Sequence, residues 1–255
     1  MSKPAVFVIL YMPSFLYKLF LNFSFSLDIY KNHCYNITVI YNTVIYGGER
    51  VSEAELTTLE LIHDAAKKEF LEKGFKSASL RNIVKTAGVT TGAFYGYYKS
   101  KEELFEALVG QQYETFMNCY CKAQEDFAKL PLEEQPENME NISGKCMHDM
   151  LIYAYKNLDE FRLILCCSEG TRFAGMIDEM VEIEINSTHD YQIVLEKLGH
   201  PSPRIDPRLE HILVTGMFNA FIELIIHEMP LDEAEKYLIE LREFYTAGWM
   251  KIMGQ

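Results

Sequence analysis

Between Glu72 and Glu102 every charged side chain is basic: Lys73, Lys76, Arg81, Lys85, Lys99 and Lys101. In a chain of formal net charge −13 and sequence pI near 5.0, so long an acid-free stretch is not what a random solvated surface gives. Phosphate is its natural partner, because clustered ammonium and guanidinium groups displace the counterions that phosphates hold. The acidity of the rest excludes a general nucleic-acid coat, so such binding must be confined to this patch.

Two short helical patterns meet inside the basic stretch, around Ala87-Gly88-Val89, as a helix-turn-helix is written in sequence. Ser79 is expected to cap a helix that buries Leu80, Ile83, Val84 and Ala87, and Gly88 to end it in the left-handed conformation. Thr90 caps a second helix, about Thr91 to Tyr97, whose leading residues Thr91, Gly92, Ala93, Tyr95 and Gly96 are those a recognition helix presents to a DNA groove.

Ala87-Gly88-Val89-Thr90-Thr91-Gly92-Ala93-Phe94-Tyr95, followed by Tyr97-Tyr98-Lys99-Ser100-Lys101-Glu102-Glu103-Leu104, closely resembles the signature of the tetracycline-repressor (TetR) family of transcription regulators. The match extends to Phe70, Gly74-Phe75 and Ser79-x-Arg81-x-Ile83, roughly Leu59 to Leu108. Thr91 stands where the family often has lysine, and Tyr97 where it often has histidine. The resemblance implies an all-α homodimer with an amino-terminal three-helix DNA-binding domain and a carboxy-terminal helical domain for effector binding and dimerisation. It implies a repressor released from palindromic double-stranded operator DNA by a small-molecule effector. The DNA-contact set is then Ser79, Arg81, Thr90, Thr91, Gly92, Ala93, Tyr95, Tyr97, Lys99 and Lys101. Thr91, Ala93 and Tyr95 are expected to read bases, with Thr90, Tyr97, Lys99 and Lys101 on phosphates.

Three capping boxes place the flanking helices: Ser52-x-x-Glu55, Thr57-x-x-Glu60 and Ser100-x-x-Glu103. The first helix carries Leu59, Ile62, Ala66 and Phe70 to a close at Gly74, and the helix from Ser100 is expected to run to Phe127. Acidic, Pro-bearing Leu130 to Asn141 reads as a loop. Helices follow at about Ser143 to Asn157, Asp159 to Glu169 and Arg172 to Leu198. Asp206-Pro207 then opens a helix over 207–228, apolar on nearly all sides and so expected to be buried all round; 232–253 forms a last, striped one. These two are the expected dimer interface.

Met147, Met150, Phe161, Arg172 and Met176 are the effector-contact candidates, since methionine and aromatic linings accommodate varied apolar ligands, although such stripes are usually core. The histidines are dispersed, and Glu182, Glu184, His189 and Asp190, though close in sequence, read as a solvated helix face with no nucleophile or phosphate loop nearby. No catalytic residue, cofactor or metal site is expected. The six cysteines form no Cys-x-x-Cys pair with a matching His or Cys pair, and Cys166-Cys167 read as small hydrophobes in a reducing cytoplasm.

The first fifty residues disagree with this pattern. Pro4 to Leu27 approaches a membrane span, interrupted by Pro13 and Lys18, and Ile37 to Tyr46 would be an orphan strand. Gly47-Gly48-Glu49-Arg50 can be encoded by a purine-rich ribosome-binding string and Val51 by GTG, an alternative start codon. Residues 1–50 are therefore expected to be a translated leader or hydrophobic extension, 51–110 the DNA-binding domain and 111–255 the effector and dimerisation domain. The alternative is a membrane-anchored regulator using residues 4–27 as its span.

Overall fold

A computed structural model of the chain describes residues 57–254. The span at 4–27, the β-branched run at 37–46, the Ser52 box and the Val51 start lie outside the described residues. The described residues group as one compact unit. Among the described residues there are nine α-helices and no strand.

Thr57 opens α1 (Thr58–Ser77) through a complete capping box with Glu60. The regular helix breaks at Gly74, whose φ of 71° lies in the left-handed region, and the turn beyond it tucks Phe75 back under Phe70 and Phe105. α2 (Leu80–Thr86) and α3 (Thr91–Tyr97) are two turns each. Helices this short are marginal alone, so they depend on what they pack against. Ile83, Val84 and Ala87 on the first and Phe94 on the second go into a core shared with Ile62, Ala66 and Phe70 of α1.

Between them the chain turns in a Schellman arrangement: the Gly88 amide donates to Lys85 O and the Val89 amide to Val84 O. Gly88 sits at φ 67° with nothing within 4 Å of where a Cβ would lie, so its requirement is conformational and not steric crowding. Gly88→Ala is expected to cost about 1 kcal/mol, read as a lowered urea midpoint. An unchanged midpoint would show that the turn accepts another backbone conformation.

α4 (Lys101–Ala128) starts at Ser100, whose hydroxyl accepts from the Glu103 amide, and continues unbroken past the residue 110 boundary. Leu104, Phe105 and Leu108 at its start face the α1–α3 core, while Phe116 meets Phe161 further along.

α5 (Gln135–Lys156) corrects the expected loop at Leu130 to Asn141: after one 3-10 turn at Leu132–Glu134, the helix begins eight residues ahead of Ser143. Pro136 is tolerated because the first-turn amides lack intrahelical partners anyway. Gln135 is buried and its side-chain amide donates to Leu130 O five residues back, a local anchor with no periodic signature.

α6 (Leu158–Cys167) packs against α1, and Lys67 and Glu160 pair across that contact at 2.5 Å. Cys167 is buried and Cys166 half-buried against the core, as small hydrophobes are. A 3-10 turn at Arg172–Gly175 precedes α7 (Met176–Lys197).

Asp206 caps α8 (Pro207–Ile226), accepting from the Arg208 and Leu209 amides. Burial all round is met on one side only. Val214, Phe218, Phe221, Ile222 and Ile225 are buried, yet Leu209 is 46% and Ile212 63% exposed. On α9 (Leu231–Ile252), Ala234 and Leu238 face inward while Ile239 (55%) and Phe244 (70%) face out. By length and composition α8 is the one helix among the described residues apolar enough to cross a membrane; here it packs against α7 and α9.

Candidate functional site

The amino-terminal face is built on α3. Thr90 Oγ1 accepts the Ala93 amide at 3.1 Å and the Thr90 carbonyl accepts the Phe94 amide, which starts the helix cleanly. Phe94 is fully buried, and this single anchor turns the opposite side outward. Thr91, Gly92, Tyr95 and Tyr97 are exposed, Tyr95 at 55% and Tyr97 at 47%, with Ala93 half-buried. Arg81, Lys85 and Lys99 are exposed beside them in sequence, and no acid interrupts the run.

Two of the ten contact candidates are placed otherwise than expected. Ser79 makes no side-chain cap; its amide is held instead by Glu69 Oε1 at 3.0 Å. Lys101 is turned inward. Its ammonium donates to the carbonyls of Phe75 (2.6 Å), Ala78 (3.1 Å) and Lys76 (3.3 Å) and lies 4.5 Å over the Phe75 ring. Those carbonyls end α1 beyond the Gly74 break, where orphan acceptors and the helix dipole favour a cation. Its three N–H bonds are thus directed at backbone carbonyls, which gives Lys101 a structural role at the end of α1.

Glu69 was not legible beforehand. It is 8% exposed on α1 and accepts from Lys73 Nζ, the Ser79 amide and Asn82 Nδ2, tying α1 to α2. Burial pushes its carboxyl up, but those three donors outweigh burial together and hold it below the ordinary carboxylate value.

Residues 62–108 match the sequence model of the family described as bacterial regulatory proteins, tetR family. Over these residues the chain is similar to the TetR family. It is 38% identical over 63 residues to the HTH-type transcriptional regulator TtgR of Pseudomonas putida, covering 25% of this chain and 30% of that protein. It is 39% identical over 54 residues to the HTH-type transcriptional repressor BepR of Brucella suis, covering 21% of this chain and 26% of that protein. The matches thus span about a third or less of these curated relatives. A TerR/AcrR-family regulator structure from Aquifex aeolicus overlays 75% of this chain and 99% of its own, at 25% identity and a TM-score of 0.41.

The second region with site character is a cavity of about 400 Å³ among α4, α5, α7, α8 and α9. Its walls include Phe127, Tyr191, Phe218, Phe221 and Trp249, and one end is polar. There Tyr120 Oη donates to Glu184 Oε2 at 2.5 Å and Gln124 Nε2 to the same oxygen at 2.8 Å. Burial pushes the Glu184 carboxyl up against the opposing pull of those two donors.

Of the five effector-contact candidates only Met147 lines this cavity. Met150 (2%), Phe161 (0%) and Met176 (2%) are core, where the same apolar composition serves packing. Arg172 is held outside by a fork onto Glu106 at 2.6 and 2.9 Å, with Glu114 at 3.0 Å, and stacks on Phe173. Glu184 corrects the solvated-face assignment: Glu182 and Asp190 are exposed on α7, but Glu184 turns into the cavity. Among the described residues no group of His, Cys, Asp or Glu is arranged to hold a metal ion.

Proposed function

We propose that this chain is a DNA-binding transcriptional repressor that acts as a homodimer in the cytoplasm and leaves its operator when a small molecule fills the cavity. The observation that carries the reading is the exposed face of α3, Thr91, Gly92, Tyr95 and Tyr97, set in an acid-free basic stretch of an acidic protein. A seven-residue helix reads too few base pairs to specify a site alone. A twofold pair supplies two such helices about one DNA turn apart, roughly 34 Å, on a palindrome. The outward Leu209 and Ile212 of α8 and Ile239 and Phe244 of α9 are the apolar surface a second copy would cover. In this division of labour residues 51–110 read DNA, and 111–255 bind effector and dimerise.

Release requires that the effector prefer the dimer shape in which the two heads no longer match the groove spacing; equal affinity for both shapes would shift nothing. Selection of bound DNA from a random pool, followed by a salt titration on the winning sequence, tests the reading. A palindromic consensus is expected, with affinity falling linearly on logarithmic axes as salt rises. Absence of any enriched sequence, or salt-independent binding, would sink it.

Within that experiment Tyr95→Ala is expected to change which sequences are enriched, with discrimination at the affected position reduced by about 1–3 kcal/mol. Equal weakening on every sequence would reassign Tyr95 to backbone contact.

A further inference from the structure

On the effector reading above, we propose that Glu184 selects the effector, and that the cavity takes an apolar molecule bearing one cationic nitrogen. Both hydrogen bonds to this carboxylate converge on Oε2, and among the described residues nothing donates to Oε1. A carboxylate oxygen without a donor at the polar end of an apolar cavity suits a cation, which supplies the missing donor and the missing charge together.

The remaining lining favours the same charge. Phe127, Tyr191 and Trp249 offer aromatic faces, which attract cations. Glu140 is the second acid, and Arg242 is the lone base in the lining. Arg242 stands at the rim, since it also lines the outer groove beside His148 and Glu235, and its Nη2 is committed to Glu140 O at 2.9 Å. A carboxylate ligand would therefore meet Glu184 at the polar end with no buried base to receive it.

Three molecules of one shape separate charge from fit: adamantanemethylamine, adamantanemethanol and adamantanecarboxylate. None absorbs where tryptophan does, and Trp249, the sole tryptophan of the sequence, lines the cavity and reports occupancy by its fluorescence. With the full chain at neutral pH, the amine is expected to bind roughly tenfold or more tighter than either relative, as charge-assisted hydrogen bonds do over neutral ones. Glu184→Gln, nearly isosteric, should remove that preference while leaving alcohol binding within about threefold.

Equal binding of all three, or tighter binding of the carboxylate, by the unmodified chain overturns the proposal whether or not the variant folds, and leaves the repressor reading standing. Failure of all three to bind, in a preparation that still binds its selected DNA, also overturns it. Amine selectivity in a chain that binds no DNA would uphold Glu184 as selector while removing the repressor reading.

Discussion

Phe94→Ala is expected to abolish operator binding, weakening it at least about a hundredfold, while the helices of the cavity region stay folded. Truncating a fully buried phenylalanine typically costs about 3–5 kcal/mol, part lost burial and part void. Phe94 is the sole buried residue of α3, 5.5 Å from the Tyr95 ring and 6.1 Å from that of Tyr98. Isolated helices shorter than about 12–15 residues are marginal in water, so the seven residues of α3 depend chiefly on this anchor to stay ordered. The loss is therefore local: α3 detaches at less cost than the whole unit unfolds. Amide exchange of α3 should quicken sharply, with α7 and α8 protected as before. Retained operator binding, or equal loss of protection across the chain, would contradict this account of how the reading face is held.

Lys101→Met should lower stability by about 2 kcal/mol and leave the salt dependence of DNA binding unchanged. Methionine keeps the stem over Phe75 and removes the ammonium, so the carbonyls of Phe75, Lys76 and Ala78 lose their shared donor. Hydrogen bonds to a charged group contribute about 1.5–3 kcal/mol, and two of the three here, to Phe75 O and Ala78 O, are part-buried. Exposed Arg81 is the contrast: Arg81→Met should cost little stability and flatten the salt slope by about one phosphate contact. If Lys101→Met flattens the slope instead, its ammonium serves DNA and the carbonyl cage is incidental.

The parts of this protein written by short-range chemistry were legible in the sequence. Gly88, Thr90, Ser100 and Asp206 each specify a backbone turn or cap through their own side chain or its absence, and α2, α3, α4 and α8 begin or end where those residues stand. What escaped was decided by packing and by contacts that leave no periodic mark. The start of α5 rests on buried Gln135 reaching Leu130 O, and an acidic, proline-bearing segment carries no periodicity to announce it. Lys101 occupies a helix start that suits phosphate, until the carbonyls at the end of α1 are brought beside it. Met150, Phe161 and Met176 share their composition with a pocket wall, so residue type alone cannot tell packing from lining. Glu184 looks like its exposed neighbour Glu182 in sequence; only the meeting of α4 and α7 puts Tyr120 and Gln124 against it.

α4 places Lys101 at one end and Tyr120 further along the same uninterrupted helix, roughly 28 Å away at 1.5 Å per residue. It is one stiff rod gripped at its start by the α1 carbonyl cage and, in its later turns, by the Glu184 hydrogen bonds. A tilt of about 5° pivoted at the cavity end displaces the other by about 2.4 Å over that length. In the proposed dimer such a stroke, doubled through the twofold axis, is comparable to the distance over which a hydrogen bond to a base edge is made or lost. On the proposed release mechanism, the mechanical advantage would reside in the length of a single helix.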